Sequence, residues 1–254
     1  MELTTRQKDI LETIVTEYIR TASPVSSGEL EKKHAFGIKP AMLRIEMEKL
    51  TGEGYLSQPF VSAGRIPTDR GYRFFVDNLL EKTSKGFNQD KILMQIQQIE
   101  EGIETNSLNL FHSLTKTIAQ ITSNLTISYL PERELLLKEG WSEIAKEPEF
   151  DNPTEFSNFV EMVETWEQNL LNQAELPEAL QIWIGKENPC AKAANFSTIA
   201  SQCFFPGGEK GVLAIFGPKR MDYNKNIKVI KSLTNTNGRT KRSAKRSSKG
   251  KRAK

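Results

Sequence analysis

Two histidines, His34 and His112, and two cysteines, Cys190 and Cys203, have the strongest intrinsic chemistry in this sequence as metal ligands or nucleophiles. None of them falls in a metal-ligand spacing. Cys190 and His112 have the composition of a thiol–imidazole pair, but two such residues far apart in sequence carry little weight alone. The sequence reads His34 as a helix-terminal residue, His112 as structural, and both thiols as inert packed side chains. No phosphate-cradling glycine loop, no G-x-G-x-x-G and no G-x-S-x-G is present. The expectation is a chain with no catalytic residues, no cofactor and no metal, and not an enzyme.

A different chemistry, the recognition of nucleic acid, fits the run "KPAMLRIEMEK" at 39–49. Leu43, Met47 and Leu50 repeat at helical spacing and make one apolar side. Ala41, Ile45 and Glu48 face away from it, flanked by Met42, Arg44 and Lys49. Arginine can read a guanine edge with two hydrogen bonds, and isoleucine or methionine can meet a thymine methyl. Lys39, Ala41, Met42, Arg44, Ile45 and Lys49 are therefore candidate DNA-facing residues. Ser26 and Ser27 open the preceding helix, where hydroxyl and backbone donors can meet a phosphate. The stretch "SAGRIPTDRGYRFFVD" at 62–77 adds a thin loop. Ala63 and Gly64 give it little bulk, and Arg65 is expected to reach a narrow minor groove. Pro67 and the helix cap at Thr68 or Asp69 stiffen its exit, and Thr68 joins the candidate set. Taken singly, each of these positions reads as a solvated helix or loop residue. The order of the elements around them favours DNA.

Those elements are legible from local signals. Ile10, Leu11, Ile14, Val15, Tyr18 and Ile19 share one helical face, with Thr4 and Gln7 at the spacing of a capping box. Pro24 ends that helix. Ser26 and Glu29 repeat the capping signature for a short helix to about His34. Pro40 fits the first position of a third helix running to about Gly52. Two short extended pieces follow, then a fourth helix. Three helices and a two-stranded ribbon give the order of a winged helix-turn-helix, whose third helix enters the major groove. Further along, an amphipathic helix over 106–128 runs into the strand-like "NLTISYL". The stretch 131–180 reads as acidic and helical, with Trp141, Phe150, Phe156, Phe159, Val163 and Leu170 or Leu171 buried. "QIWIG", "FSTIASQCFF" and "KGVLAIFG" read as strands and "KNIKVIKSL" as a closing helix.

The fold class expected is α+β. Residues 1–80 form a DNA-binding domain, 81–105 a linker, 106–234 a second α/β domain and 235–254 a disordered basic tail. With 37% hydrophobic residues and a mean hydropathy of −0.49, the chain lacks any long apolar run. It also lacks a secretory signal or a disulfide framework, so a cytoplasmic location and no membrane partner are expected. The net charge of +3 hides an asymmetry: residues 1–78 balance, residues 79–238 are acidic, and 239–254 hold nine Lys and Arg with no acid. Such a tail raises the expectation of a nucleic-acid partner.

Three stretches, "LTTRQKDILETIVTEYIRTASPVSS", "PAMLRIEMEKLTGEGYLSQPFVSAGRIPTDRGYRFFVD" and "GVLAIFGPKRMDY", occur in the same order in a known family. On them the chain resembles the heat-inducible transcription repressor HrcA family. The resemblance implies a repressor of chaperone operons that binds double-stranded DNA at an inverted-repeat (CIRCE) operator as a homodimer and is released on heat stress. It implies a GAF-like second domain with an inserted dimerisation segment, and a link to a GroEL-type chaperonin. The chain departs from the family pattern at Lys39, where Ser or Thr is usual, at Ile45, where Asn is usual, and at Gly28, where Arg is usual. Its inserted segment is reduced, and the basic tail is additional. Two other readings of the same residues are a ligand-sensing GAF-like regulator with a winged helix of other specificity, its pocket lined by 184–205, and a general nucleic-acid-binding protein driven by its tail.

Overall fold

In a computed structural model of the chain, residues 3–34, 36–83, 94, 107–172, 176–205 and 208–234 are described. Most of the expected linker and all of the expected tail lie outside them. The fold is α+β and divides into two compact units: residues 1–87 with the short segments 184–186 and 219–221, and the remainder.

The first unit begins with α1 (Thr5–Thr21), which carries a reciprocal cap. Thr4 Oγ1 accepts from the Gln7 amide at 3.3 Å and Gln7 Oε1 accepts from the Thr4 amide at 3.0 Å. This satisfies two of the amides that a helix start leaves unpaired. Ala22 ends α1 in the left-handed region, at φ 52°. The same device, with Ser26 and Glu29, opens α2 (Ser27–Lys33). α3 (Pro40–Gly52) starts at its proline, and α4 (Asp69–Thr83) follows a ribbon of β1 (Leu56–Ser57) and β2 (Ile66–Pro67), paired antiparallel. Ile10, Leu11, Ile14 and Val15 of α1 are fully buried, as are Leu43 and Leu50 of α3 and Val76 of α4. One residue of the first interhelical turn joins the ribbon: Val25 donates to the Arg65 carbonyl at 2.9 Å and accepts from the Arg65 amide at 2.8 Å.

The second unit runs α5 (Ser107–Thr122), β3 (Leu125–Leu130), β4 (Leu135–Glu139), α6 (Trp141–Ile144), α7 (Pro153–Leu171), β5 (Gln181–Ile184), β6 (Phe196–Phe204), β7 (Lys210–Pro218) and α8 (Tyr223–Thr234). Its five strands order as β4-β3-β7-β6-β5, with β3–β4, β3–β7 and β6–β7 antiparallel. The central strands are covered on both faces, so "LTISYL" is buried throughout. Leu125, Ile127 and Tyr129 point into a core with Phe159, Met162 and Trp166 of α7. On the alternate positions Ser128 meets Thr115 of α5 at 2.9 Å, and Ser197 of β6 meets the Tyr223 hydroxyl of α8 at 2.8 Å. The sheet is thus sandwiched between α5 and α8 on one side and α7 on the other.

Two sequence expectations are corrected here. The stretch 131–180 is not helical throughout, because Leu135–Glu139 is a strand paired along its whole length with β3. Its leucines, lysine and glutamate favour helix in isolation, and the pairing overrides that preference. Phe156, expected in the core, is 36% exposed at the edge of the α7 face.

Candidate nucleic-acid interface

α3 buries Leu43, Met47 and Leu50 and turns its other side outward. Ala41, Met42, Arg44 and Ile45 lie on that outer side, and Lys39 is exposed just before the helix. Met42 and Ile45 are each 44% exposed, which is high for large apolar residues on an ordered helix. Lys39 holds the N-cap position with no side-chain cap bond. The structure thus places four of the ten candidate residues on one side of α3 and a fifth, Lys39, at its start.

The other five are placed differently. Lys49 is exposed, but its ammonium lies 3.0 Å from Glu46 Oε1. Ser26 is engaged in its capping box, with its hydroxyl 3.1 Å from Glu29 Oε2. Ser27 is buried. Thr68 caps α4: its hydroxyl donates to the Gly54 carbonyl at 2.6 Å and accepts from the Gly71 amide at 3.2 Å.

Arg65 requires the largest revision. The sequence placed it at the tip of a thin loop, but it is only 9% exposed. It sits at the base of the ribbon, where its backbone pairs with Val25 and its Nε donates to Thr51 Oγ1 at 3.0 Å. A Cβ on the neighbouring Gly64 would overlap the Val25 carbonyl, so glycine is what allows this close approach. The arginine therefore fastens the ribbon to the end of α3. The tip is formed by Phe60 and Val61, which are 63% and 97% exposed.

Glu46 was not singled out by the sequence. It is buried on α3, where its carboxylate accepts from Gln7 Nε2 of α1 at 3.1 Å as well as facing Lys49. Its spacing from Leu43 and Leu50 places it in the apolar stripe, and a charge in such a stripe is the signal that marks a buried, paired group. Glu17 plays a similar part between α1 and α2. Arg20 Nη2 lies 2.7 Å from it, Lys33 Nζ 3.0 Å and His34 Nε2 3.5 Å. The hydrogen bonds from Arg20 and Lys33 hold the Glu17 carboxyl at about 2, below its usual 4.5.

Among the four residues with intrinsic site chemistry, His34 caps the end of α2. His112 Nε2 pairs with Glu139 at 2.8 Å. Cys190 is partly buried beside the core of the second unit, and Cys203 is fully buried, with burial pushing its thiol up to about 12. A thiol so protonated is a poor nucleophile. Among the described residues no helix is long and apolar enough to cross a membrane.

Comparison with known proteins gives these observations a context. The protein named heat-inducible transcription repressor HrcA from Natranaerobius thermophilus is 27% identical over 330 aligned residues, covering 92% of this chain and 96% of that one. The aligned length exceeds this chain, so the relative carries blocks of sequence that face gaps here. The protein of the same name from Alkaliphilus metalliredigens is 39% identical over 144 residues, covering 54% of this chain and 40% of that one. A crystal structure of a protein described only as hypothetical shares the fold, with a TM-score of 0.76 at 20% identity, covering 92% of this chain and 97% of that one. Residues 72–227 match the family profile described as HrcA protein C terminal domain. The chain belongs to the HrcA family.

Proposed function

We propose that this chain is a heat-inducible transcriptional repressor whose first eighty residues form a winged helix-turn-helix. In this reading α3 lies in the major groove, and Lys39, Ala41, Met42, Arg44 and Ile45 meet the DNA. The observation that carries the reading is that face of α3, ordered and exposed yet bearing Met42 and Ile45 beside Arg44. Exposed apolar residues next to an arginine suit thymine methyls and guanine edges. The bridge between Val25 and Arg65 supports the assignment of the ribbon, because it pairs one residue of the first interhelical turn with the base of the wing. The names of the relatives support the regulatory role.

The second unit, proposed as a GAF-like domain over 106–234, joins two copies into a dimer. A two-fold dimer reads an inverted repeat, with half-sites separated by about one helical turn or a multiple of it. The target is the chaperone operons, and a GroEL-type chaperonin is the proposed protein partner. The boundaries proposed for the linker and tail are 81–105 and 235–254. Footprinting of the purified chain on the chaperonin promoters of its own genome tests the whole reading. Two protected, symmetry-related half-sites are expected. Protection that ignores sequence, or none at all, would overturn it.

A further inference from the structure

Resting on the repressor reading, we propose that Phe60 and Val61 at the ribbon tip enter the minor groove of the operator as an apolar wedge, so that the wing contributes through these two side chains and not through charge. The tip stretch "QPFVSAG" at 58–64 contains no ionisable side chain. The one nearby arginine, Arg65, is spent on Thr51 at the base of the ribbon. A wing that works through phosphates needs lysine or arginine at its tip. This tip offers a phenylalanine 63% exposed and a valine 97% exposed.

The tip is also built to hold them out. Gln58 Nε2 donates to the carbonyls of Val61 and Ala63, both at 2.9 Å. The Ala63 amide donates to the Phe60 carbonyl at 2.9 Å. Three carbonyls that would otherwise present negative dipoles to a polyanion are thereby satisfied within the loop. The large hydrophobic side chains left exposed at the tip are then Phe60 and Val61. Ser62, Ala63 and Gly64 keep the return limb thin enough for a narrow groove.

The loop is fixed relative to α3 at its base. The Tyr55 amide donates to the Leu50 carbonyl at 2.9 Å, Arg65 holds Thr51, and Thr68 holds Gly54. Helix and tip therefore approach a partner as one body, and Lys39 and Arg44, exposed at the start and on the outer side of α3, give that body positive charge. A double helix supplies both parts of the complement. Its backbone attracts the basic residues, while the sugar walls and base steps of the minor groove accept apolar wedges, which unstack a step and bend the duplex.

The test is the full-length double variant Phe60→Ser/Val61→Ser, titrated with the operator defined by footprinting at several salt concentrations. Because the replaced side chains are exposed, its thermal unfolding should match that of the parent. We expect affinity to fall about tenfold or more, with an unchanged slope of log K against log salt, because that slope counts phosphates neutralised. The bend measured by circular permutation should decrease. A companion variant, Val61→Lys, should steepen the slope by about one ion. Unchanged affinity and bend in the double variant would overturn the proposal. So would a fall in slope, or a change in oligomeric state with DNA binding intact, which would make the tip a protein contact. Failure of the parent protein to select any operator would instead sink the repressor reading itself.

Discussion

Arg44 and Ile45 are neighbours on the outer face of α3, and in the proposed complex their side chains would divide the work of reading DNA by chemistry. A guanidinium can grip a guanine edge with two parallel hydrogen bonds, while a sec-butyl group can only meet a methyl or exclude water. Arg44→Ala should therefore cost about 1–3 kcal/mol on the operator and relax selectivity at one base position. Competition binding against single-base operator variants measures this, and equal losses on operator and random DNA would count against the role. Behind that face, Glu46 ties α3 to α1 through Gln7 and restrains the Lys49 ammonium. Glu46→Gln keeps the shape and removes the charge. It should release Lys49 to the phosphates and steepen the salt dependence of binding by about one ion. An unaltered slope would show that Lys49 stays away from the DNA. Neither Glu46 nor the true position of Arg65 followed from residue type. An arginine after a glycine and close before a proline suggested an exposed loop, and only the pairing with Val25 reveals that the chain has already turned back into the domain.

At the level of elements, the helix starts were readable because their signals are local. Thr4 with Gln7, Ser26 with Glu29 and the proline at the head of α3 all act within one turn. β4 was not readable, since its extended state depends on β3 and not on its own residues. The junction of α1 and α2 lies between these cases, and Glu17 makes it sensitive to acid. Its folded value of about 2 lies below the ordinary 4.5, so the folded chain favours the carboxylate. The resulting stabilisation is complete above about 4.5 and is lost as the pH falls through about 2. Glu17→Gln should flatten this part of the acid limb when denaturation midpoints are compared between mildly and strongly acidic buffers. An acid limb of undiminished steepness would place the sensitivity elsewhere.

For the whole molecule, the nine basic residues of 239–254 were visible in composition alone, and in the proposed reading they would bear on strength of binding and not on choice of site. Removing 239–254 should weaken operator and random DNA alike and flatten the salt slope, leaving the ratio between them nearly unchanged. Loss of all binding would instead assign the DNA interaction to the tail. The three-layer arrangement of the second unit was only partly legible, because alternation along a strand does not name its neighbour.

The strand order has a consequence for how the molecule is made. β3 meets β4 within a few residues, but its other neighbour, β7, begins only at Lys210. At a synthesis rate of about 5–20 residues per second, the middle of the sheet stands open for several seconds on every ribosome. Through that interval one side of β3 has unmatched amides and carbonyls, flanked by side chains destined for the core. An unfinished edge of this kind is what folding assistants capture and what unassisted chains aggregate through. A chaperonin partner, if the proposal holds, would have its point of action here: the supply of finished repressor would follow the amount of folding capacity left free, before any operator is reached.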